Sequence, residues 1–195
     1  MLNQALTIIK LDMNIHQPEK PLDWVTRFTP LIKTGGTVLD LACGKGRHTH
    51  YLADLGYQLT ALDRNLSAIS KNQNIDSIEL IEADLEDGSP WPLGSRKFDA
   101  IVVANYLARP LFPAIIGALG EDGVLIYETF SLGNEKHGRP SNPDFLLEPG
   151  ELFSACSDAL RVIAYEEGML ETPAPAVKQR ICAIKRPLDG VPASL

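Results

Sequence analysis

Val38-Leu-Asp-Leu-Ala-Cys-Gly-Lys-Gly-Arg-His48 reads as an apolar strand carrying one acid, then a glycine turn, then the opening of a helix. Glycine suits positions 44 and 46 because a tight turn demands unusual backbone angles, and because a ligand can approach a main chain that has no Cβ in the way. The helix that begins near Arg47 then presents free backbone N–H groups beside the turn. A G-x-G pair alone is a weak sign of a bound cofactor, so its surroundings have to carry the reading.

Outward from this stretch, short β-rich apolar runs alternate with helical patterns, which predicts a parallel α/β sheet. The strand candidates are Thr37–Ala42, Gln58–Leu62, Ile78–Ala83, Phe98–Ala104, Gly123–Thr129, Arg161–Tyr165 and Arg180–Lys185. The first, fourth and fifth are nearly continuous apolar runs, as expected of central strands covered on both faces. After the first strand Tyr51, Leu52 and Leu55 share a helix face, and Gly56 is a left-handed cap. After the fourth, Pro110 suits a first turn, Leu111, Ile115, Ala118 and Leu119 form an apolar stripe, and Gly120 closes the helix. Near the front, Trp24, Val25, Phe28, Leu31 and Ile32 have helical spacing, with Pro30 set to kink or shorten that helix. Residues 1–35 are read as a helical N-terminal lead-in or lid. Residues 130–149, FSLGNEKHGRPSNPDFLLEP, read as a long loop of the kind that is often functional.

The length of 195 residues suits one domain with a real core, read as spanning residues 1–195. Against 25 Asp and Glu there are 18 Lys and Arg, a net charge of -7, which argues against broad binding to nucleic acid or to an anionic membrane. Cys43, Cys156 and Cys182 are odd in number and far apart, so neither a disulfide framework nor a metal site is indicated. A reducing cytoplasm is the natural setting. The opening apolar run is too short for a signal-peptide core, and the chain is read as soluble.

Asp63 and Asp84 fall where the second and third strands end, so with Asp40 three acids stand at one sheet edge, the edge at which open α/β sheets bind ligands. An acid after the second strand can accept hydrogen bonds from both hydroxyls of a ribose. A dinucleotide site would normally carry a third glycine where Thr49 stands, and Asp40 beside the turn disfavours a diphosphate and favours a cation. S-adenosylmethionine (SAM) has no phosphate and carries an ammonium and a sulfonium.

The stretch V-L-D-L-A-C-G-K-G-R-H, followed by L-T-A-L-D ending at Asp63 and I-E-A-D-L around Asp84, resembles the class I SAM-dependent methyltransferases. The G-R-H start of the first helix, the L-A-D-L-G-Y at its end and the late P-G-E-L are similar to the tellurite-resistance-type branch of small methyltransferases. The resemblance implies a Rossmann-like doubly wound sheet of seven strands in the order 3-2-1-4-5-7-6, the seventh antiparallel, with helices on both faces. It implies that Asp40 and the backbone of Gly44 and Gly46 hold the methionine moiety, Asp63 the ribose, and Asp84 with the Leu85 backbone the adenine. Val103–Asn105 would run beneath the methionine portion, Leu62 would add an apolar wall, and Ala42 and Arg47 complete the implied cofactor set.

Methyl transfer from a sulfonium is an in-line displacement, so the protein must align the nucleophile, exclude water and, for a poor nucleophile, remove a proton. The segment Asn105-Tyr-Leu-Ala stands where an N-P-P-Y tetrapeptide would mark amino-methylation of nucleobases or glutamine. Arg47 and His48, Tyr106 and Arg109, and Glu128 to Arg139 lie at the carboxyl edge on the acceptor side. Among them Arg47, Arg109, His137 and Arg139 form an expected pocket for an anion or an acidic acceptor, with His137 as a base near neutral pH. The expected acceptor is a small molecule, anionic or of thiol or chalcogen type, and the protein a monomer or homodimer.

Plainer roles compete for several of these. Cys43 packs behind the turn. His48 and His50 are two apart on a helix and do not face together as a metal pair. His16, Asp54, Asp76 and Glu79 suit a solvated surface. Rival functions are a non-catalytic SAM-binding module and an NAD(P)-dependent oxidoreductase on the same type of sheet.

Overall fold

The computed structural model describes residues 20–69 and 77–186. Its seven-stranded sheet comprises β1 (Thr37–Leu41), β2 (Gln58–Asp63), β3 (Ile78–Glu82), β4 (Phe98–Ala104), β5 (Leu119–Phe130), β6 (Arg161–Leu170) and β7 (Ala176–Ile184), in the order β3-β2-β1-β4-β5-β7-β6. The pairs among β1 to β5 are parallel, while β7 runs antiparallel to both β5 and β6. Order and reversed strand are those the resemblance implied.

Alternation along the central strands explains why they read as unbroken apolar runs. Leu39, Leu41, Ile101 and Val103 enter the core on one face of the sheet, and Val38, Ala100 and Val102 enter the core on the other. A strand covered on both sides needs an apolar residue at every step. Asp40 is the exception in β1, and its buried carboxylate accepts a hydrogen bond from Thr49 Oγ1 at 2.6 Å.

The helices are short. Helix α1 (Asp23–Phe28) gives way to a 3-10 turn at Thr29–Leu31, the shortening expected of Pro30. It is fastened to the sheet by Trp24, whose Nε1 donates to the Ile181 carbonyl at 3.1 Å and whose ring lies 4.7 Å beneath the Arg180 guanidinium. Helix α2 (Arg47–Asp54) starts from Gly46, whose φ of 80° is left-handed.

Helix α3 (Phe112–Ala118) differs from expectation at its end, because Leu119 and Gly120 open β5 and do not close the helix. Leu119 is fully buried, and an apolar residue satisfies a helix stripe and a buried strand equally well. β6 and β7 are longer than the apolar pattern suggested, since across these outer strands charged residues pair in register, Glu166 with Arg180. The 130–149 loop is ordered by a bridge between Ser131 and Leu147 and by 3-10 turns at Asn134–Lys136 and Pro143–Phe145, and helix α4 (Glu151–Ser157) follows it. Of the expected lead-in, residues 1–19 lie outside the described residues, as do His16 and Asp76. Among the described residues no helix is long and apolar enough to cross a membrane.

Candidate functional site

The parallel strands end on one edge, and three corners there are tied to one another. After β1, Ala42 and Gly44 take positive φ values of 54° and 56°. The Gly44 N–H donates to Asp63 Oδ2 at 2.8 Å, and Asn65 N–H donates to Asp63 Oδ1 at 3.0 Å, so one carboxylate braces two turns. Each oxygen keeps a further lone pair. After β3, Asp84 Oδ1 accepts from Glu86 N at 2.9 Å. A Cβ on Gly44 would meet nothing within 4 Å, so that glycine supplies backbone angle and open approach. A Cβ on Gly46 would come within 3.2 Å of Ile69, so that one is also needed for packing.

A cleft of about 360 Å³ opens over these corners, lined by Ala42, Asp63, Arg64, Asp84, Leu85, Glu86, Asn105 and Tyr106, with Phe130 and Phe145 among its apolar walls. Three carboxylates face one guanidinium, which suits a cationic, partly apolar ligand and would repel a pyrophosphate. Tyr106 sits here and not on the acceptor side. Its Oη is buried with no partner at hydrogen-bonding distance among the described residues, and burial, with the nearby Glu86 carboxylate, pushes its pKa up, so it remains a donor facing the cleft. The cleft therefore fits SAM in charge, in size and in its unfilled donor.

Of the expected cofactor residues, Gly44 and Gly46 shape the turn without lining this cleft or the cavity beside it, and Asp40 and Leu62 line neither. Leu62 is fully buried in the core, because alternation along β2 turns it away from the edge. Asp40 is 1% exposed and acts beneath the turn, where burial raises its pKa to about 6 against the opposing hydrogen bond from Thr49.

A second cavity of about 480 Å³ adjoins the first through Asn105 and Phe130, which line both. Its walls carry Lys20, Arg47, His137, Arg139, Lys178 and Arg180 against Asp23 and Glu128. Arg47, His137 and Arg139 thus come together as the sequence suggested, and no side-chain hydrogen bond or ion pair engages either arginine among the described residues. Lys178 was missed. Its Nζ donates to Glu128 Oε1 at 2.6 Å and to Asn105 Oδ1 at 2.8 Å, in a pair whose side chains are 8% and 3% exposed.

Arg109, expected in this pocket, lies elsewhere. It forks onto Glu151 through Nε and Nη2 at 2.6 and 2.8 Å and donates to the carbonyls of Asp144 and Leu146, tying the start of α3 to the loop and α4. His48 is also withdrawn. Its Nε2 accepts from Leu22 N at 3.3 Å, and burial, helped by the charges of Arg47 and Lys178, holds its pKa down at about 3. All three cysteines are buried with raised pKa values, Cys156 and Cys182 to about 12, and stay protonated at neutral pH.

Residues 38–119 match the methyltransferase domain family. The chain is 28% identical over 150 residues to the cypemycin N-terminal methyltransferase of a Streptomyces species, covering 74% of this chain and 54% of that one. TehB from Haemophilus influenzae superposes with a TM-score of 0.66 at 21% identity, covering 84% of this chain and 62% of that one. A TehB-like SAM-dependent methyltransferase from Corynebacterium glutamicum gives a TM-score of 0.61 at 20% identity, covering 84% of this chain and 87% of that one. The chain spans about half the length or less of the curated relatives it matches.

Proposed function

With residues 38–119 forming a methyltransferase domain on the class I SAM-dependent fold, we propose that the chain methylates a small-molecule acceptor bearing an anionic group. SAM would occupy the first cleft and the acceptor the second. The observation that carries this reading is the meeting of an acid-lined cleft and a base-lined cavity at Asn105 and Phe130. Among the curated relatives one is by its name an N-terminal methyltransferase and another an RNA methyltransferase, and the net charge of -7 favours a non-nucleic acceptor as the first class to try.

SAM supplies a methyl group on a positively charged sulfur. The chain's own residues bind and orient. Asp63 has lone pairs left for ribose hydroxyls, Asp84 and Leu85 border the end suited to adenine, and the open backbone at Gly44 suits the methionine end. Asn105, held at φ 56° by its N–H to the Glu128 carbonyl at 2.8 Å, stands between cofactor and acceptor. Arg47 and Arg139, without a side-chain partner among the described residues, can hold an anion, and His137 lines the same wall.

Calorimetric titration should detect SAM and not NADH. Methyl-labelled SAM incubated with amines, carboxylic acids, thiols, phenols and chalcogen oxyanions should then label at least one anionic small molecule. SAM binding with no transfer to any of them would leave a binding module and end the catalytic reading.

A further inference from the structure

The buried Lys178–Glu128 pair has no task in the reading above. Such a pair is a poor device for stability alone, because desolvation offsets the Coulombic gain and apolar replacement is often no worse. Its location suggests another reason. Glu128 and Lys178 sit on neighbouring antiparallel strands at the ligand edge, line the second cavity, and hold Asn105, which lines both.

Hydrogen bonding within the pair is incomplete. Glu128 Oε1 is held by Lys178, whereas Oε2 accepts no hydrogen bond among the described residues, with Arg180 Nη1 3.9 Å away. Lys178 is fixed from a third side by the Phe130 ring, 4.7 Å from Nζ. An ionised carboxylate oxygen only accepts, so what completes Oε2 is an N–H or O–H. On the same walls, Arg47 and Arg139 await an anion.

We propose that Glu128 binds the acceptor, its Oε2 taking the hydrogen bond of the N–H or O–H group that becomes methylated, and that Lys178 is the positioning residue that fixes Glu128 and Asn105. The proposal rests on the function above and narrows it to amines or hydroxyl compounds that also carry an anionic group. In the transfer, a bond forms from the acceptor's nitrogen or oxygen to the methyl carbon, and the carbon–sulfur bond breaks with its electrons going to sulfur. The acceptor's proton passes to Glu128 Oε2 and then to solvent through the cavity.

The test begins with SAM titrated into the whole protein, which examines the underlying function by itself; no binding there removes both. Protein saturated with S-adenosylhomocysteine is then titrated with small amino acids and hydroxy acids, each beside the matching acid lacking its amine or hydroxyl. The wild type should bind at least one of the first set tenfold more tightly than its match. Lys178→Met should lose that preference, and Lys178→Arg should restore it. Glu128→Gln combined with Lys178→Met removes both charges together and guards against a variant that fails to fold. A wild type that binds SAM and shows no such preference, or a folded double variant that keeps it, overturns the proposal.

Discussion

The two cavities at the ligand edge differ in how their residues come together. The cofactor-side cleft is made of strand-to-turn corners, with Asp63 bracing the glycine turn and Asp84 bonding two residues ahead. The second cavity, proposed for the acceptor, collects Lys20, Arg47, Asn105, Glu128, Arg139 and Lys178 from segments far apart in the chain. One is acidic and shaped by backbone, the other basic and shaped by side chains. A pocket of backbone corners depends on few side-chain choices. A pocket of converging side chains can change its ligand one residue at a time.

The sharpest way to break this contrast is to remove one side chain from each region. Lys178→Ala leaves a buried, unpaired carboxylate and should destabilise the fold by about 3 to 5 kcal/mol in urea unfolding at neutral pH. A loss below about 1 kcal/mol would mean that water reaches the pair. On the cofactor side the sign reverses. Asp40, with its pKa raised from 3.8 to about 6, favours the folded state below pH 3.8, and that contribution is lost as pH rises through 6. Asp40→Asn should therefore be more stable than wild type at pH 7.5, by about 3 kcal/mol at most, since each pKa unit corresponds to about 1.4 kcal/mol. The gain should shrink toward pH 4.5. His48 acts oppositely, its stabilisation being lost as pH falls from 6.5 toward 3, but it is common to both proteins and cancels in the difference. A gain independent of pH would contradict a buried Asp40 that ionises near 6.

Asp63→Ala should come next in size. It removes the acceptor for the Gly44 and Asn65 amides and the lone pairs offered to a ribose, weakening SAM binding by about 1.5 to 3 kcal/mol, or roughly ten- to a hundredfold in Kd by calorimetry. Unchanged affinity would remove Asp63 from the cofactor.

How far each region could be read in the sequence follows the same division. The glycine turn and the acids ending β2 and β3 are local patterns, so Asp63 and Asp84 were legible from spacing alone. Lys178 was hidden, because Lys178 and Gln179 break the apolar pattern just ahead of the strand expected from Arg180, whereas β7 begins at Ala176. Its burial depends on Glu128, fifty positions away, across a strand pair that only the topology creates. Arg109 erred the other way. It follows β4 as a ligand residue should, but its partners come from the loop and α4, where no periodicity anticipates them.

The smallest expected effect separates the two arginines. Arg139 is exposed on the second cavity and unpaired among the described residues, so Arg139→Ala should leave the melting temperature unchanged and weaken binding of a simple carboxylate by about two- to fivefold, as exposed charge pairs do. Arg109 braces the loop, so Arg109→Ala should lower the melting temperature and leave carboxylate affinity alone. If both variants lost carboxylate affinity in proportion to their loss of stability, the cavity's preference would come from the loop's fold and not from its free cations. If only Arg139→Ala lost it, the basic wall is a binding surface in its own right, and raising the salt concentration should abolish the difference between Arg139→Ala and wild type.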